Sequence, residues 1–359
     1  MSSKAIIKYA FNEKEVDNKK LNNIVPPPYG GVGIQTYKFD TPISEKENFM
    51  RIANNEMPLW MPIMGGDINF IQPLVMPDAL ARWKGGKDWF GIEWEYEPNI
   101  NASMVKPGTR RLSDITKWEE ELEFPDLNNI DWQKDYDENY KGKLDQTRPT
   151  LFAIVNGLFE RTADLTSFED AFCYLLEEEE VLEKFYDKLA DWHIELFKIA
   201  KEVYHADVIV FHDDMGTQKS SFFSPSTFEE VMLPHYKKIV DAAHNMGLLV
   251  SFHSCGSVGN QIENFIKVGF DFWEGQDCCN DKLGLLEKYG DKLPQISAFS
   301  PDLEGKLSDE EYEKALVDRI KEYGKDGRYI MWYREKNPQR YLKGQEIIYK
   351  ESRKLYCGE

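Results

Sequence analysis

Basic residues are in short supply in this chain. Lys and Arg number 44 against 63 Asp and Glu, for a formal charge of -19 with histidine neutral. Such a surface repels phosphate backbones and anionic lipid headgroups, so nucleic acid and membrane surfaces are set aside, leaving small molecules or another protein as partners. Cysteine is scarce too. The five thiols, Cys173, Cys255, Cys278, Cys279 and Cys357, form no even ladder, which argues against a disulfide framework and points to a reducing cytoplasm with thiols free for metal. No apolar run approaches the ~20 residues of a membrane span, and the opening MSSKAIIKYAFNEKE has no apolar core of the secretory kind. What the chain does have is 42% apolar residues over 359 positions, enough for one large α/β barrel or two smaller domains.

Residues 1–45 are polar and interrupted by VPPPYGG, and read as an N-terminal arm lying on the body or on a neighbouring subunit of a homo-oligomer. Residues 46–359 read as one domain. A short helix spans 44–54, LWMPIM (59–64) is expected as a first buried strand, and WFGIEWEYEP (89–98) alternates like a hairpin. From there the pattern is regular: LFAIV (151–155), DVIVF (207–211), LLVSF (248–252), FDFW (270–273), PQISAF (294–299) and RYIMWY (328–333), separated by helix-like or turn-rich sequence. Strand alternating with helix predicts a parallel sheet. Counting 59–64 gives seven strands, and an eighth between 63 and 110 would complete a TIM (β/α)8 barrel. Two helices are well marked. In one, Ser226 and Glu229 are spaced as a capping box, Pro234 is expected to kink the axis and Gly247 to close it. In the other, which begins near residue 177, Val181, Phe185, Leu189, Ile194, Leu196 and Ile199 form an apolar side.

In a barrel of this kind chemistry gathers where strands end and loops begin. Polar residues fall there repeatedly: Asn156 and Glu160; His212, Asp213 and Asp214; His253 and Cys255; Glu274 and then Gln276 to Cys279; Arg334 and Glu335. Taken alone, the His253-x-Cys255 pair is ordinary, since buried cysteines and carbonyl-bonded histidines are common. The convergence of five strand ends tips the reading, because residues two apart on an extended segment point the same way and can offer imidazole and thiolate to one zinc ion. Glu274 and Cys278 or Cys279 are the candidates to complete the ligand set. Asp213 and Asp214 read as groups that orient His253 or relay protons, one of the two being left to cap a turn. Glu160 reads as a general acid or a helix-start carboxylate, Asn156 and His212 as substrate contacts. Trp273 and Trp332 are expected to stack on an aromatic substrate, and Arg334 to meet an anionic group.

The stretches FMRIANNEMPLWMPI, DWFGIEWE, ITKWEEELEFPDLNNIDW, FHDDMGTQKSSFFSPSTFEEVMLPHYKKIV and HSCGSV resemble the uroporphyrinogen decarboxylase superfamily over residues of about 44 to 275, and within it the corrinoid-dependent methyltransferases. The resemblance implies a TIM barrel, Zn2+ at His253 and Cys255, and a corrinoid carried on a partner protein. It implies methyl exchange between that protein and a small methylated compound, a methoxylated aromatic being favoured. A methylcorrinoid:thiol or methylcorrinoid:tetrahydrofolate methyltransferase is the alternative of the same class. Others are a metal-free decarboxylase with Asp213 or Asp214 facing a protonated pyrrole, and a non-catalytic docking barrel. The sequence departs from the family in two places. Its N-terminal region is acidic, without the arginine-rich RQAGR-like segment of true decarboxylases, and YIMWYREKN carries no cysteine where methyltransferases of the coenzyme M type place a third zinc ligand.

Overall fold

The structure is a computed structural model that describes residues 9–23, 35–99 and 101–357. Seven strands form one curled, all-parallel sheet: β1 (Asn69–Ile71), β2 (Thr150–Ile154), β3 (Val208–His212), β4 (Leu249–Ser254), β5 (Phe272–Gly275), β6 (Gln295–Phe299) and β7 (Tyr329–Tyr333), paired in sequence order from β1 to β7. Their apolar runs are near-continuous because both faces are covered, one by the barrel interior and the other by helices. Leu151 and Val208 point inward while Phe152 and Ile209 lie under the helices, and all four are fully buried.

One edge of this sheet is met by the segment that leads into the other. Met331 of β7 donates from its N–H to Pro62 O at 3.0 Å and accepts from Met64 N at 2.9 Å, and β1 begins only five residues after Met64. The sheet thus curls as a half-barrel of the TIM-like kind, with residues 62–64 on its β7 edge. The expected strand over 59–64 reduces to a single bridge between Ile63 and Met331, because Pro58 and Pro62 have no N–H to continue a ladder. The strand missing from the sequence pattern is Asn69–Ile71, inside the interval where it was sought. The helix Glu45–Ala53, capped by Ser44 through Glu47 N, sends Phe49 and Ile52 into the barrel interior, with Phe49 against Phe272 at 4.9 Å. Its amide at Lys46 bonds Thr147 O, just ahead of β2. That end of the barrel is plugged, so the carboxyl end is the open one.

Outside the barrel, the long helix Glu179–Glu202 buries Leu182, Phe185, Tyr186, Leu189, Trp192, His193, Leu196 and Phe197. Val181, Ile194 and Ile199 are only partly covered, so the buried stripe is rotated by about one position from the expected one. The helical run after β3 starts two residues earlier than the capping box placed it. Ser224 is the cap, accepting from Thr227 N at 3.1 Å, since Pro225 forces the residue before it into an extended conformation. A widened π turn over Phe228–Met232 precedes Pro234, in the helix Leu233–Asn245, and absorbs the bond that proline cannot make. Gly247 follows with φ 68°. Of the hairpin expected over 89–98, the structure has one strand, Glu93–Glu97, whose antiparallel partner is Ala102–Val105, beyond that stretch.

Of the residues expected as an arm, VPPPYGG lies outside the described residues. Those described pack on the body, where Gln345 bonds Tyr37 N at 2.7 Å and Arg353 pairs with Glu15 at 2.8 Å. Among the described residues no helix is long and apolar enough to cross a membrane.

Candidate active site

Register builds the site. His212 on β3 stands opposite His253 on β4, which stands opposite Glu274 on β5, so three polar side chains share one level at the open end. The two imidazoles stack, with centroids 4.4 Å apart and planes 11° from parallel. Each has its Nδ1 held by a glutamate: His212 by Glu160 Oε2 at 2.8 Å, His253 by Glu274 Oε1 at 3.1 Å. Both Nε2 atoms consequently face one carboxylate oxygen, Asp214 Oδ1, at 3.5 and 3.9 Å. Cys255 Sγ lies 3.4 Å from His253 Nε2.

The supports are local. Asp214 Oδ1 accepts the Cys255 amide at 2.6 Å. The next residue, Gly256 (φ 89°), passes so close to Gly216 that an added Cβ would lie 2.2 Å from its carbonyl carbon, a place only glycine fills. Asp213 is fully buried and points away from Asp214. Its carboxylate accepts Phe159 N at 2.9 Å, Glu160 N at 2.8 Å and the Tyr236 hydroxyl, fixing the start of the helix Leu158–Leu165. That anchor aims Glu160 at His212. Burial, reinforced by the Glu160 charge, pushes the Asp213 carboxyl up to about 8.

Arg82, on the helix Pro77–Lys84, completes the Glu160 side. It donates from Nε to Asn156 Oδ1 at 2.8 Å and pairs with Glu160 Oε1 at 2.6 Å. Burial would raise the Glu160 carboxyl, but Arg82 and His212 outweigh it and hold it well below the usual carboxylate range. His253 behaves in the opposite sense. Burial and the neighbouring His212 favour its neutral form, yet Glu274 and Cys255 raise it to about 9. Burial raises the Cys255 thiol. Asn156, buried with φ 62°, spends its oxygen on Arg82.

A cavity of about 430 Å³ opens above this group, lined by His253, Cys255, Glu274, Asp277, Cys278, Phe299, Trp332 and Arg334 among others. Cys278 is exposed at its rim and donates to Gln218 Oε1 at 3.3 Å. Trp273 does not face the cavity. Phe272 and Glu274 take the inward positions of the strand, so Trp273 between them points outward, fully buried beneath Lys282 Nζ at 3.7 Å. Glu274 in turn meets His253 at the ring nitrogen opposite Cys255, in an orienting place, while Asp214 stands on the donor side. Arg82 escaped the sequence reading because nothing in PDALARWK marks it: its partners lie more than 70 residues away. Among the described residues the donors closest to a metal-binding arrangement are His212, Asp214 and His253.

A curled parallel sheet of the TIM-like kind with its titratable groups gathered at the carboxyl mouth defines an enzyme of the barrel class. The family described as uroporphyrinogen decarboxylase (URO-D) matches residues 87–331, and the chain belongs to it. No curated protein sequence matches. Among solved structures, a methyltransferase from Methanosarcina mazei is similar in fold, with 14% identity, 88% of this chain and 99% of that chain covered, and a TM-score of 0.65. A sugar phosphate isomerase/epimerase from Parabacteroides distasonis aligns at 13% identity over 64% of this chain and 81% of that one, with a TM-score of 0.33. An Old Yellow Enzyme from Pichia sp. aligns at 14% identity over 62% and 69%, with a TM-score of 0.36.

Proposed function

We propose that this protein is a metal-assisted methyltransferase that moves a methyl group from a small methylated compound to a corrinoid carried on a partner protein. The observation that carries the reading is the convergence of two imidazole Nε2 atoms, one carboxylate and one thiol at the strand ends, with His253 and Cys255 in the wall of the adjoining cavity. This donor set fits zinc, which takes nitrogen, oxygen and sulfur ligands. A glutamate on each Nδ1 is the usual way a ligating histidine is oriented and made more basic. The residues that would hold the ion are His212, Asp214, His253 and Cys255, with Glu160 and Glu274 behind them. A zinc ion there would supply Lewis acidity toward the departing oxygen or nitrogen of an unactivated methyl ether or methylamine.

The chain's own groups have separable tasks. Arg82 keeps Glu160 ionised, and Glu160 and Glu274 hold a proton on each Nδ1, leaving both Nε2 atoms aimed at Asp214. Asp214, through the Cys255 amide, fixes the turn that presents the thiol. Asp213 positions Glu160 without reaching the cavity. Trp332 and Phe299 wall the cavity against water. The fold shared with the methyltransferase from Methanosarcina mazei agrees with this reading. A decarboxylase of porphyrin-sized polyacids is disfavoured, because Arg82 is engaged by Glu160 and Asn156 and only Arg334 is left to line the cavity as a basic chain.

The test is to measure zinc in the purified protein, then to mix it with a reduced corrinoid protein and methoxylated aromatics, methylamines or betaines while following the absorbance change of cobalt methylation. About one zinc per chain and methylation by at least one donor are expected. Demethylation of methyl-corrinoid by a thiol or tetrahydrofolate, with no donor active, would reverse the direction. Absence of zinc and of methyl exchange would reject the reading.

A further inference from the structure

Arg334 is the only lysine or arginine lining the smaller cavity. Most buried or half-buried arginines here are spent on carboxylates: Arg82 on Glu160, Arg161 on Asp78 and Asp88, Arg340 on Asp302, Arg353 on Glu15. Arg334 forms no ion pair among the described residues, although acidic groups outnumber basic ones by 63 to 44 along the chain. Its backbone is fixed by a 2.9 Å bond from its N–H to Phe299 O, and its guanidinium lies over the Trp332 ring at 4.5 Å. Stacking uses the face of a guanidinium and leaves its edge of N–H donors free, in the fork that matches a carboxylate.

The stack stands at the boundary of two cavities. One, of about 430 Å³, has His253, Cys255 and Glu274 in its wall; the other, of about 810 Å³, opens outward, and the two share Ser300, Leu303, Trp332 and Arg334. Ala298, Phe299, Leu303 and Trp332 give the inner cavity an apolar wall. Of its two acidic groups, Glu274 is paired with His253 at 3.1 Å, and Asp277, whose Oδ1 is buried without a hydrogen-bond partner, interacts with the charge of the buried Lys282. An apolar slot that ends in one unpaired guanidinium is built for a small flat molecule with an anionic end.

Resting on the methyl-transfer reading above, we propose that the methyl-bearing substrate is a small aromatic carboxylate, its ring against Trp332 and its carboxylate on Arg334, with the methyl-bearing end toward His253 and Cys255. The inference names the substrate class and assigns Arg334 as the residue that selects it over uncharged methyl ethers.

The probe pair is 4-methoxybenzoate and uncharged methoxybenzene, titrated calorimetrically into the full-length protein and its Arg334→Gln and Arg334→Lys variants. Arg334 is exposed, and circular dichroism checks that each variant is folded. The acid should bind at least about ten-fold tighter than the ether. Arg334→Gln should erase that preference, and Arg334→Lys, which keeps the charge but not the fork, should fall between. Equal binding of the two probes, no binding of the acid, or a preference that survives Arg334→Gln would overturn the proposal. Cobalt methylation is read separately. Arg334-dependent binding of the acid without methylation by any donor would defeat the methyl-transfer reading alone, whereas methylation from uncharged donors without preference for the acid would defeat this inference alone.

Discussion

Glu274 and Asp214 both approach His253, and the structure assigns them opposite sides of the ring. Glu274 Oε1 is 3.1 Å from Nδ1; Asp214 Oδ1 is 3.9 Å from Nε2, on the side of Cys255 Sγ. If zinc is held on the Nε2 side, Asp214→Ala removes a ligand and Glu274→Gln only a support. An apparent binding free energy of ~10–16 kcal/mol spread over four ligands puts the loss for Asp214→Ala at about 3 kcal/mol, more than a hundred-fold. Loss of an orienting partner costs roughly 10- to 100-fold. The smaller loss should also depend on pH. Glu274 helps to raise His253 to about 9, so below that value a proton competes with the metal in the native protein, and Glu274→Gln relieves the competition. Its deficit should therefore be full near pH 9 and shrink toward neutrality, while that of Asp214→Ala persists at both. Competition against a chromophoric chelator at the two pH values reads this directly. If Glu274→Gln lost zinc as completely as Cys255→Ala, or if X-ray absorption found two sulfur ligands, the division of roles argued here would be wrong, and the second result would bring Cys278 into the shell.

Other substitutions test the scaffold beneath the site. Asp213→Ala leaves two buried amides and a tyrosine hydroxyl without their acceptor; at about 1–3 kcal/mol for each unsatisfied group the loss is several kcal/mol, readable as a lowered urea midpoint, and an unchanged midpoint would contradict the anchoring role. Asp164, buried with one oxygen unpartnered, has its carboxyl raised by burial to about 8. The folded protein thus keeps a proton that the unfolded chain releases near 3.8, so this group's cost to stability is absent at low pH and grows as pH climbs toward 8. Asp164→Asn should flatten that decline between about pH 5 and pH 8 in denaturant titrations. Gly256→Ala puts a methyl group 2.2 Å from Gly216 and should weaken zinc by displacing Cys255 even where the fold survives, a result seen as metal loss without loss of helical circular dichroism.

Much of the barrel was legible because its strands are buried on both faces and so read as apolar runs flanked by turns. The six regular runs fall within two residues of their strands. The exceptions have physical causes. LWMPIM has the composition of a strand, but Pro62 within it and Pro58 just before it deny it a ladder, and Asn69–Ile71 is too short to show a period. At the site, the His253-x-Cys255 spacing and the crowding of polar residues at strand ends were visible, as was the likelihood that one of Asp213 and Asp214 serves the framework. Which of the two does so depends on the direction each side chain takes after β3, and that is set by tertiary packing. Trp273 was misplaced because adjacent residues of a strand face opposite sides: Glu274 takes the inward position beside His253, so Trp273 must lie outward under the helices. Arg82 left no trace, since a single arginine in a helix acquires meaning only when Asn156 and Glu160 are brought to it.

The carboxylates at the mouth form an excess that the geometry nearly cancels before any ligand arrives. Glu160 is shared between Arg82 and His212, Glu274 faces His253, and Asp214 is bonded by the Cys255 amide. Asp213 and Asp164, the two without a cation in direct contact, are driven by burial to keep their protons near neutrality. Each imidazole thus has its own counter-charge at Nδ1. The field inside the cavity is then set by the groups left over, among which the Arg334 guanidinium is the one basic side chain. An overall charge of -19 does not forbid an anionic ligand under these conditions, because screening shortens the reach of the surface charge to about 10 Å at ordinary salt. It does predict slower capture of such a ligand at low ionic strength, so the association rate of 4-methoxybenzoate should rise as salt is added, and a rate that instead fell steeply with salt would place the dominant charge at the entrance and not on the surface.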